Sequence, residues 1–187
     1  MVEILKTFDE FLFLKINGCY HPLADAFMIF FSKKLVWLPL YGVLIFLIVN
    51  EFKKNSIYIL LTIAFMITFT DQFTSGLLKP LIERLRPCNE PHLQGLIHLV
   101  NDCGGNYGFV SSHAANSFAI AMFLYLLFDK NKFFGLLFLW AFIVSYSRVY
   151  LGVHYPGDVI CGGFIGAVSG YMFYYGYSRI IYNKKLG

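Results

Sequence analysis

Apolar residues are grouped along this chain in long blocks, with polar residues confined to the joints between them. Five blocks can cross a bilayer, which takes about 20 mostly apolar residues, the shorter ones with ends that dip into the polar interface. They run from Leu35 to Val49, Ile57 to Leu78, His113 to Phe128, Phe133 to Val149 and Val159 to Tyr177. Each predicts a helix, because a single chain segment in lipid must satisfy its own backbone polar groups. Residues 1–32 follow a different pattern. Leu5, Phe8, Phe11, Leu12 and Ile16 recur at helical spacing, and Glu3, Asp9 and Glu10 make the rest polar. Turn signals at Asn17-Gly18 and His21-Pro22 divide this region into two short helices. The first is expected to lie in the membrane interface. If the second, around Phe27 to Phe31, also crosses, the spans number six. The pattern thus predicts an all-α integral membrane bundle of five or six transmembrane helices with an N-terminal interfacial helix. One domain is expected over 1–187, with helices in 1–32 preceding a core over 33–180. No internal repeat or low-complexity segment is visible.

Composition agrees. Of 187 residues, 58% are hydrophobic, 19% aromatic and 14% charged, whereas soluble domains carry about 25% charged residues. Mean hydropathy is +0.62. These values exclude a disordered chain and speak against an ordinary soluble enzyme; four cysteines are too few for a small disulfide scaffold. The start lacks the pattern of a secretory signal peptide, since Glu3, Lys6, Asp9, Glu10 and Lys15 interrupt its apolar residues.

The formal net charge of +4 does not describe a nucleic-acid patch. Lys53-Lys54, Lys130 with Lys132, and Lys184-Lys185 follow the first, third and fifth spans. The positive-inside rule makes that side the cytoplasm. Lys33-Lys34 precede the first span and fit this rule less well. The other side also receives Lys79, Arg84, Arg86 and Arg148, so their presence there needs another reason.

An anion site supplies one. The outer side collects Lys79, Arg86, Ser111, Ser112, His113, Arg148, His154 and Asp158. Ionisable residues at a membrane boundary are costly, so such a convergence reads as functional. Lys79 and Arg86 are seven apart and would share one face of a continuous helix, although Pro80 and Pro87 can bend it. Ser111 and Ser112 precede the third span as an N-cap would. Pro156 suits the first turn of the fifth. Two helix N-termini, each a seat for an anion, would then meet. The chemistry this suits is phosphoryl transfer. Cations neutralise the phosphoryl oxygens, one histidine oriented by a carboxylate attacks, and a second protonates the leaving oxygen.

At these residues the chain resembles a known family. Lys79 to Pro87 reads KPLIERLRP, as in K-x(6)-R-P. Val110 to His113 reads VSSH, close to P-S-G-H, and Ser147 to Asp158 reads SRVYLGVHYPGD, as in S-R-x(5)-H-x(3)-D. This tripartite signature is similar to that of the type 2 phosphatidic acid phosphatases, membrane lipid phosphatases. The resemblance implies His154 as a nucleophile forming a phosphohistidine, Asp158 as its orienting partner and His113 as general acid. Lys79, Arg86, Ser111, Ser112 and Arg148 would bind the phosphate, and neither a metal nor another cofactor would be needed. Val110 and Ser112 stand where the family has proline and glycine; serine keeps the backbone N–H, so activity is expected to survive.

The resemblance implies a bacterial inner-membrane enzyme with its site toward the periplasm or cell exterior. It implies a lipid phosphate as substrate, no nucleic-acid partner, and a lateral opening between helices. Small bacterial members often act on undecaprenyl diphosphate, the first expectation here. Phosphatidylglycerophosphate, phosphatidate and lipid A are alternatives, and a non-catalytic lipid-phosphate-binding protein is another. A vanadium haloperoxidase, whose site is similar, is disfavoured because those relatives are soluble.

Other residues carry smaller expectations. Cys88 and Cys103 bracket the outer loop, either as a disulfide or as free thiols. Cys19 and Cys161 read as packing residues, and His92 and His98 as ordinary loop residues. Asp71 and Gln72, with Thr70, Thr74 and Ser75, read as glue between helices, and Trp37 and Trp140 as lipid-facing or interfacial. The small residues from Gly162 to Gly170 suggest close helix packing, with a homodimer face the weaker alternative.

Overall fold

A computed structural model of the protein describes residues 2–100 and 102–185, with side chains over 3–100 and 102–180. The side chains of Lys184 and Lys185, expected at the cytoplasmic end, lie outside the described residues. The described residues form eight α-helices: α1 (Val2–Gly18), α2 (Pro22–Ser32), α3 (Leu38–Phe52), α4 (Ser56–Asp71), α5 (Lys79–Ile82), α6 (Ser112–Leu127), α7 (Lys132–Tyr150) and α8 (Pro156–Lys185). Among the described residues the only extended pairing is an isolated bridge between Leu85 and Tyr107. Helices α3, α4, α6, α7 and α8 coincide with the five apolar blocks. Their outer faces carry exposed Phe46, Phe65, Leu139, Phe142 and Phe164, the polarity expected of a surface whose solvent is hydrocarbon.

The bundle is organised around α6 and α8, its most extensively packed pair. Gly162, Gly166 and Gly170 recur every four residues and so share one side of α8. A Cβ on Gly162 would come within 2.5 Å of the Ser111 carbonyl oxygen, and one on Gly170 within 2.5 Å of that of Ala119. A Cβ on Gly166 would overlap the Ala115 carbonyl oxygen. Positions 111, 115 and 119 have the same spacing on the facing helix. Two backbones therefore meet directly, as small residues permit in membranes. The small-residue run is used within the chain, as packing predicted, and these three glycines present no dimer face.

The remaining helices wrap this pair. A core of Leu44, Ile48, Ile59, Met66, Phe123, Leu124, Leu137 and Trp140 joins α3, α4, α6 and α7. Trp140 is 7% exposed and its ring packs edge-on against Trp37 at 5.7 Å. Trp140 thus serves the interior, contrary to the lipid-facing or interfacial expectation, whereas Trp37 is half-buried at the start of α3. Trp37 also donates its indole N–H to the Phe31 carbonyl at 2.9 Å. Asp71 accepts from Asn116 Nδ2 at 3.2 Å, tying α4 to α6 as glue. Cys19 is exposed and so is not a packing cysteine.

The first helix is turned in an unexpected way. Of its predicted apolar stripe, Leu5, Phe8 and Phe11 are exposed, whereas Ile16 packs inward beside the buried Phe13. The polar residues Asp9, Glu10 and Asn17 face the protein. Asn17, 1% exposed, donates to the carbonyls of His98 and Tyr150, each at 2.8 Å, and accepts from the His98 N–H at 2.7 Å. In α2, Asp25 accepts from the Tyr150 hydroxyl at 2.7 Å and pairs with His98 Nε2 at 3.0 Å. His98 also stacks on Tyr20. It is thus a structural tie and more than an ordinary loop residue.

The glycine contact makes a graded prediction. Gly166→Val should lower the thermal unfolding midpoint in detergent by an amount equivalent to at least about 3 kcal/mol, because backbone atoms cannot yield as side chains do. Gly176→Ala, with nothing within 4 Å of the new Cβ, should be neutral or stabilising by up to about 1 kcal/mol.

Candidate active site

The site forms where three loop-to-helix junctions meet at one end of the bundle. The first follows α4. A π-helical stretch, Gln72–Leu78, rephases the chain before Lys79 opens α5. The helix then stops, because Glu83 adopts a left-handed conformation with φ of 52°. Arg86 consequently lies on extended chain, not on the helix carrying Lys79, which corrects the shared-face expectation. A surface loop holds it instead. Its N–H donates to Asn106 O at 3.1 Å, Nε to Tyr107 O at 3.2 Å and Nη1 to Cys103 O at 2.8 Å. Cys88 and Cys103 form a disulfide, closing this loop around the arginine.

The second junction is the start of α6. Ser111 is fully buried and caps the helix, its hydroxyl oxygen accepting from the Ala114 N–H. Ser112 is the first residue of the helix, so its backbone is helical and needs no glycine. The third junction connects α7 to α8. Gly152, at φ of 83°, turns the chain through Leu151–Tyr155. Pro156 opens α8, and Asp158 stands in its first turn. The Ser111 N–H donates to the Asp158 carbonyl at 3.0 Å, joining the two helix starts.

These junctions bring the predicted residues together. His154, 1% exposed, presents Nδ1 to Asp158 Oδ2 at 3.4 Å. The positive charges of Arg86, Arg148 and Lys79 act on its ring, and His113 is close enough to feel its charge. Arg148 hydrogen-bonds Ser32 Oγ at the end of α2 and leaves a buried Nε without a protein partner. Ser112 and His113 look into a cavity of about 470 Å³. Its remaining wall is mostly apolar, including Phe31, Trp37, Leu44, Ile67 and Val144. Of the predicted site residues, Ser112 and His113 thus border a largely apolar chamber.

Four further residues escaped the motif reading. Arg84 donates from Nη1 to Asp158 Oδ1 at 2.9 Å and from Nη2 to Asp9 Oδ2 at 2.7 Å. Both arginines of KPLIERLRP are therefore engaged, although the pattern counts only the second. Asp9 was hidden in the polar side of α1. Ser32 carried no signal at all. Lys34 lines the cavity and acts on His113. It belongs to the cation cluster, which explains a lysine that fitted poorly with charge-based topology.

Residues 56–182 match the PAP2 superfamily. A lipid A 4'-phosphatase of Bacteroides thetaiotaomicron is 43% identical over 178 residues, covering 94% of this chain and 79% of that protein. One from Porphyromonas gingivalis is 33% identical over 184 residues, covering 95% and 77%. An undecaprenyl-diphosphatase of Sulfolobus acidocaldarius is 33% identical over 167 residues, covering 86% and 74%. The crystal structure of Aquifex aeolicus LpxE superposes with a TM-score of 0.63 at 28% identity, covering 87% of this chain and 92% of that one. The chain belongs to the PAP2 superfamily. It is an integral membrane protein and a membrane lipid phosphatase.

Two predictions follow from the site's surroundings. Burial, reinforced by Arg86, Arg148 and Lys79, holds His154 well below its ordinary pKa of 6.5. The folded protein then binds fewer protons at this position than the unfolded chain, so stability falls as the pH drops through 6.5. The thermal midpoint in detergent, measured between about pH 7.5 and 5, should fall more steeply for wild type than for His154→Asn. Loss of the disulfide should act through Arg86. Cys88→Ser with Cys103→Ser is expected to raise KM about threefold to tenfold with little change in kcat, the pattern of lost ground-state binding.

Proposed function

We propose that the chain removes a phosphate from a lipid through a phosphohistidine at His154, and that its substrate is the 4'-phosphate of lipid A. The observation that carries the chemistry is the buried His154–Asp158 pair, under the influence of Arg86, Arg148 and Lys79, with His113 bordering an apolar cavity. With Nδ1 turned to Asp158, Nε2 is the nitrogen left to attack phosphorus. The lipid oxygen departs as the phosphorus–nitrogen bond forms, and His113 supplies the proton that oxygen needs. His113 then takes a proton from water, whose oxygen attacks phosphorus, releasing inorganic phosphate and restoring both histidines. Lys79, Arg86 and Arg148 hold the phosphoryl oxygens throughout, the arginines through directed N–H donors. The free N–H groups of the first turn of α6 add a fixed positive end. The cavity receives the lipid on the His113 side.

The substrate choice rests on the 43% identity to a lipid A 4'-phosphatase across nearly the whole chain. It moves undecaprenyl diphosphate, the first expectation from sequence, to second place. One observation keeps that second reading. Lys34 lines the same cavity as His113, where the leaving group of a diphosphate would carry its remaining negative charge. Lys53, Lys54, Lys130 and Lys132 lie at the opposite end of the bundle from the site, where Phe52 and Phe128 meet at 5.3 Å. This supports a site facing the periplasm or exterior of a bacterial inner membrane.

Purified protein in detergent with EDTA, offered lipid A, undecaprenyl diphosphate, phosphatidylglycerophosphate and phosphatidate, tests the reading. Phosphate should leave lipid A from the 4' position by mass spectrometry, and His154→Ala should reduce turnover at least about a thousandfold. Faster release from undecaprenyl diphosphate would exchange the two substrate readings. Binding without release from any lipid would leave a non-catalytic protein.

A further inference from the structure

We propose that Asp9, on the N-terminal helix and outside the span matched to the superfamily, is a positioning residue for phosphoryl transfer. It acts through Arg84 and the first turn of α8 on Asp158. This inference rests on the reading of His154 as nucleophile.

Asp158 is fully buried and both of its oxygens are committed. Oδ2 accepts the Tyr155 N–H at 3.0 Å and faces His154 Nδ1, while Oδ1 accepts from Arg84 at 2.9 Å. The direction of the carboxylate therefore depends on where Arg84 sits. Arg84 lies over the Tyr155 ring, 4.0 Å from its centroid, with Asp9 as the second carboxylate on its planar fork. The other oxygen of Asp9 accepts the Gly157 N–H at 2.7 Å, one of the free donors at the start of α8. One side chain thus fixes the arginine and the helix turn that carries Asp158. Gly157 makes room for it, since a Cβ there would lie 2.7 Å from Asp9 Oδ2.

Charge gives the second part of the argument. With Asp9 absent, Asp158 alone would answer the guanidinium, and a stronger pull from Arg84 would weaken its hold on the histidine. With Asp9 present, the fork is shared between two carboxylates. Asp9 itself contacts Arg84 and Gly157 and none of the three cations that hold the phosphate, so its effect falls on the chemical step. Two other contacts of α1 keep Asp9 in place. Phe13 packs on Tyr155 at 5.4 Å, and Glu10 pairs with His92 at 2.9 Å.

The test is steady-state phosphate release by the full chain in detergent, using whichever lipid phosphate it hydrolyses fastest. Inorganic phosphate serves as competitive inhibitor. Asp9→Asn retains an acceptor for Gly157 but loses the charge. It should lower kcat about tenfold to a hundredfold and leave KM and the phosphate inhibition constant within about twofold. Arg84→Met combined with Asp9→Asn should be no slower than Arg84→Met alone, because the two residues act as one unit. Ile16→Ala, a packing change elsewhere on α1, should lower the thermal midpoint and spare kcat. Wild-type kcat in Asp9→Asn, a loss confined to KM, or additive losses in the double variant would overturn the proposal. So would an equal kcat loss in Ile16→Ala, which would reduce Asp9 to a helix anchor. His154→Ala in the same series separates the two readings, since activity surviving there defeats the nucleophile itself.

Discussion

The direct contact of α8 with α6 is the constraint on which the rest depends. Three glycines let the carbonyls of Ser111, Ala115 and Ala119 approach closer than any side chain would allow. This closeness places the first turn of α8 beside the first turn of α6, where the Ser111 N–H reaches the Asp158 carbonyl. The start of α6 then faces one small volume with its unpaired first-turn N–H groups, whereas α8, expected to be a second anion seat, has its own donors taken by Asp9 and the Tyr155 carbonyl. An anion placed there meets fixed donors that need no rearrangement, which is the economical way to stabilise a charged transition state. A wider helix separation would leave the same residues in the sequence and no site in space.

The electrostatic arrangement divides into two layers. Lys79, Arg86 and Arg148 surround the histidine that would take the phosphoryl group. Behind them Arg84 joins Asp9 and Asp158, so a cation is neutralised before it can add to the first layer. Without this division the histidine would face four uncompensated cations, and its ring would lose electron density. The loop closed by Cys88 and Cys103 serves the first layer, and α1 serves the second.

Much of this was legible in the chain. Apolar blocks located the helices because lipid leaves no other backbone solution. Ser111 and Pro156 marked helix starts because caps have local chemistry, and the three motifs carried eight site residues. What escaped depended on non-local contact. Asp9 read as part of a solvated side because periodicity reveals which side is apolar and not which side meets protein. In a membrane part of an apolar stripe can face outward while polar residues meet the interior, as Phe8 and Phe11 do on one side of α1 and Asp9 and Asn17 on the other. Arg84 was passed over because a motif counts positions and not partners. The break at Glu83 was equally hidden, since a left-handed glutamate carries no sequence signature. Trp140 read as interfacial by residue type, yet a cavity wall needed its bulk.

The order in which these parts are made has its own consequence. Asp9 precedes Arg84 in the chain, and Asp158 follows it by 74 residues, in the first turn of α8. A growing chain therefore makes α1 through α7 before the His154–Asp158 pair can form. Arg84 can meet Asp9 early and Asp158 only once α8 has begun. Activity would begin as one event at the completion of α8, so an unfinished chain stalled in the membrane has no means of attacking the lipids around it.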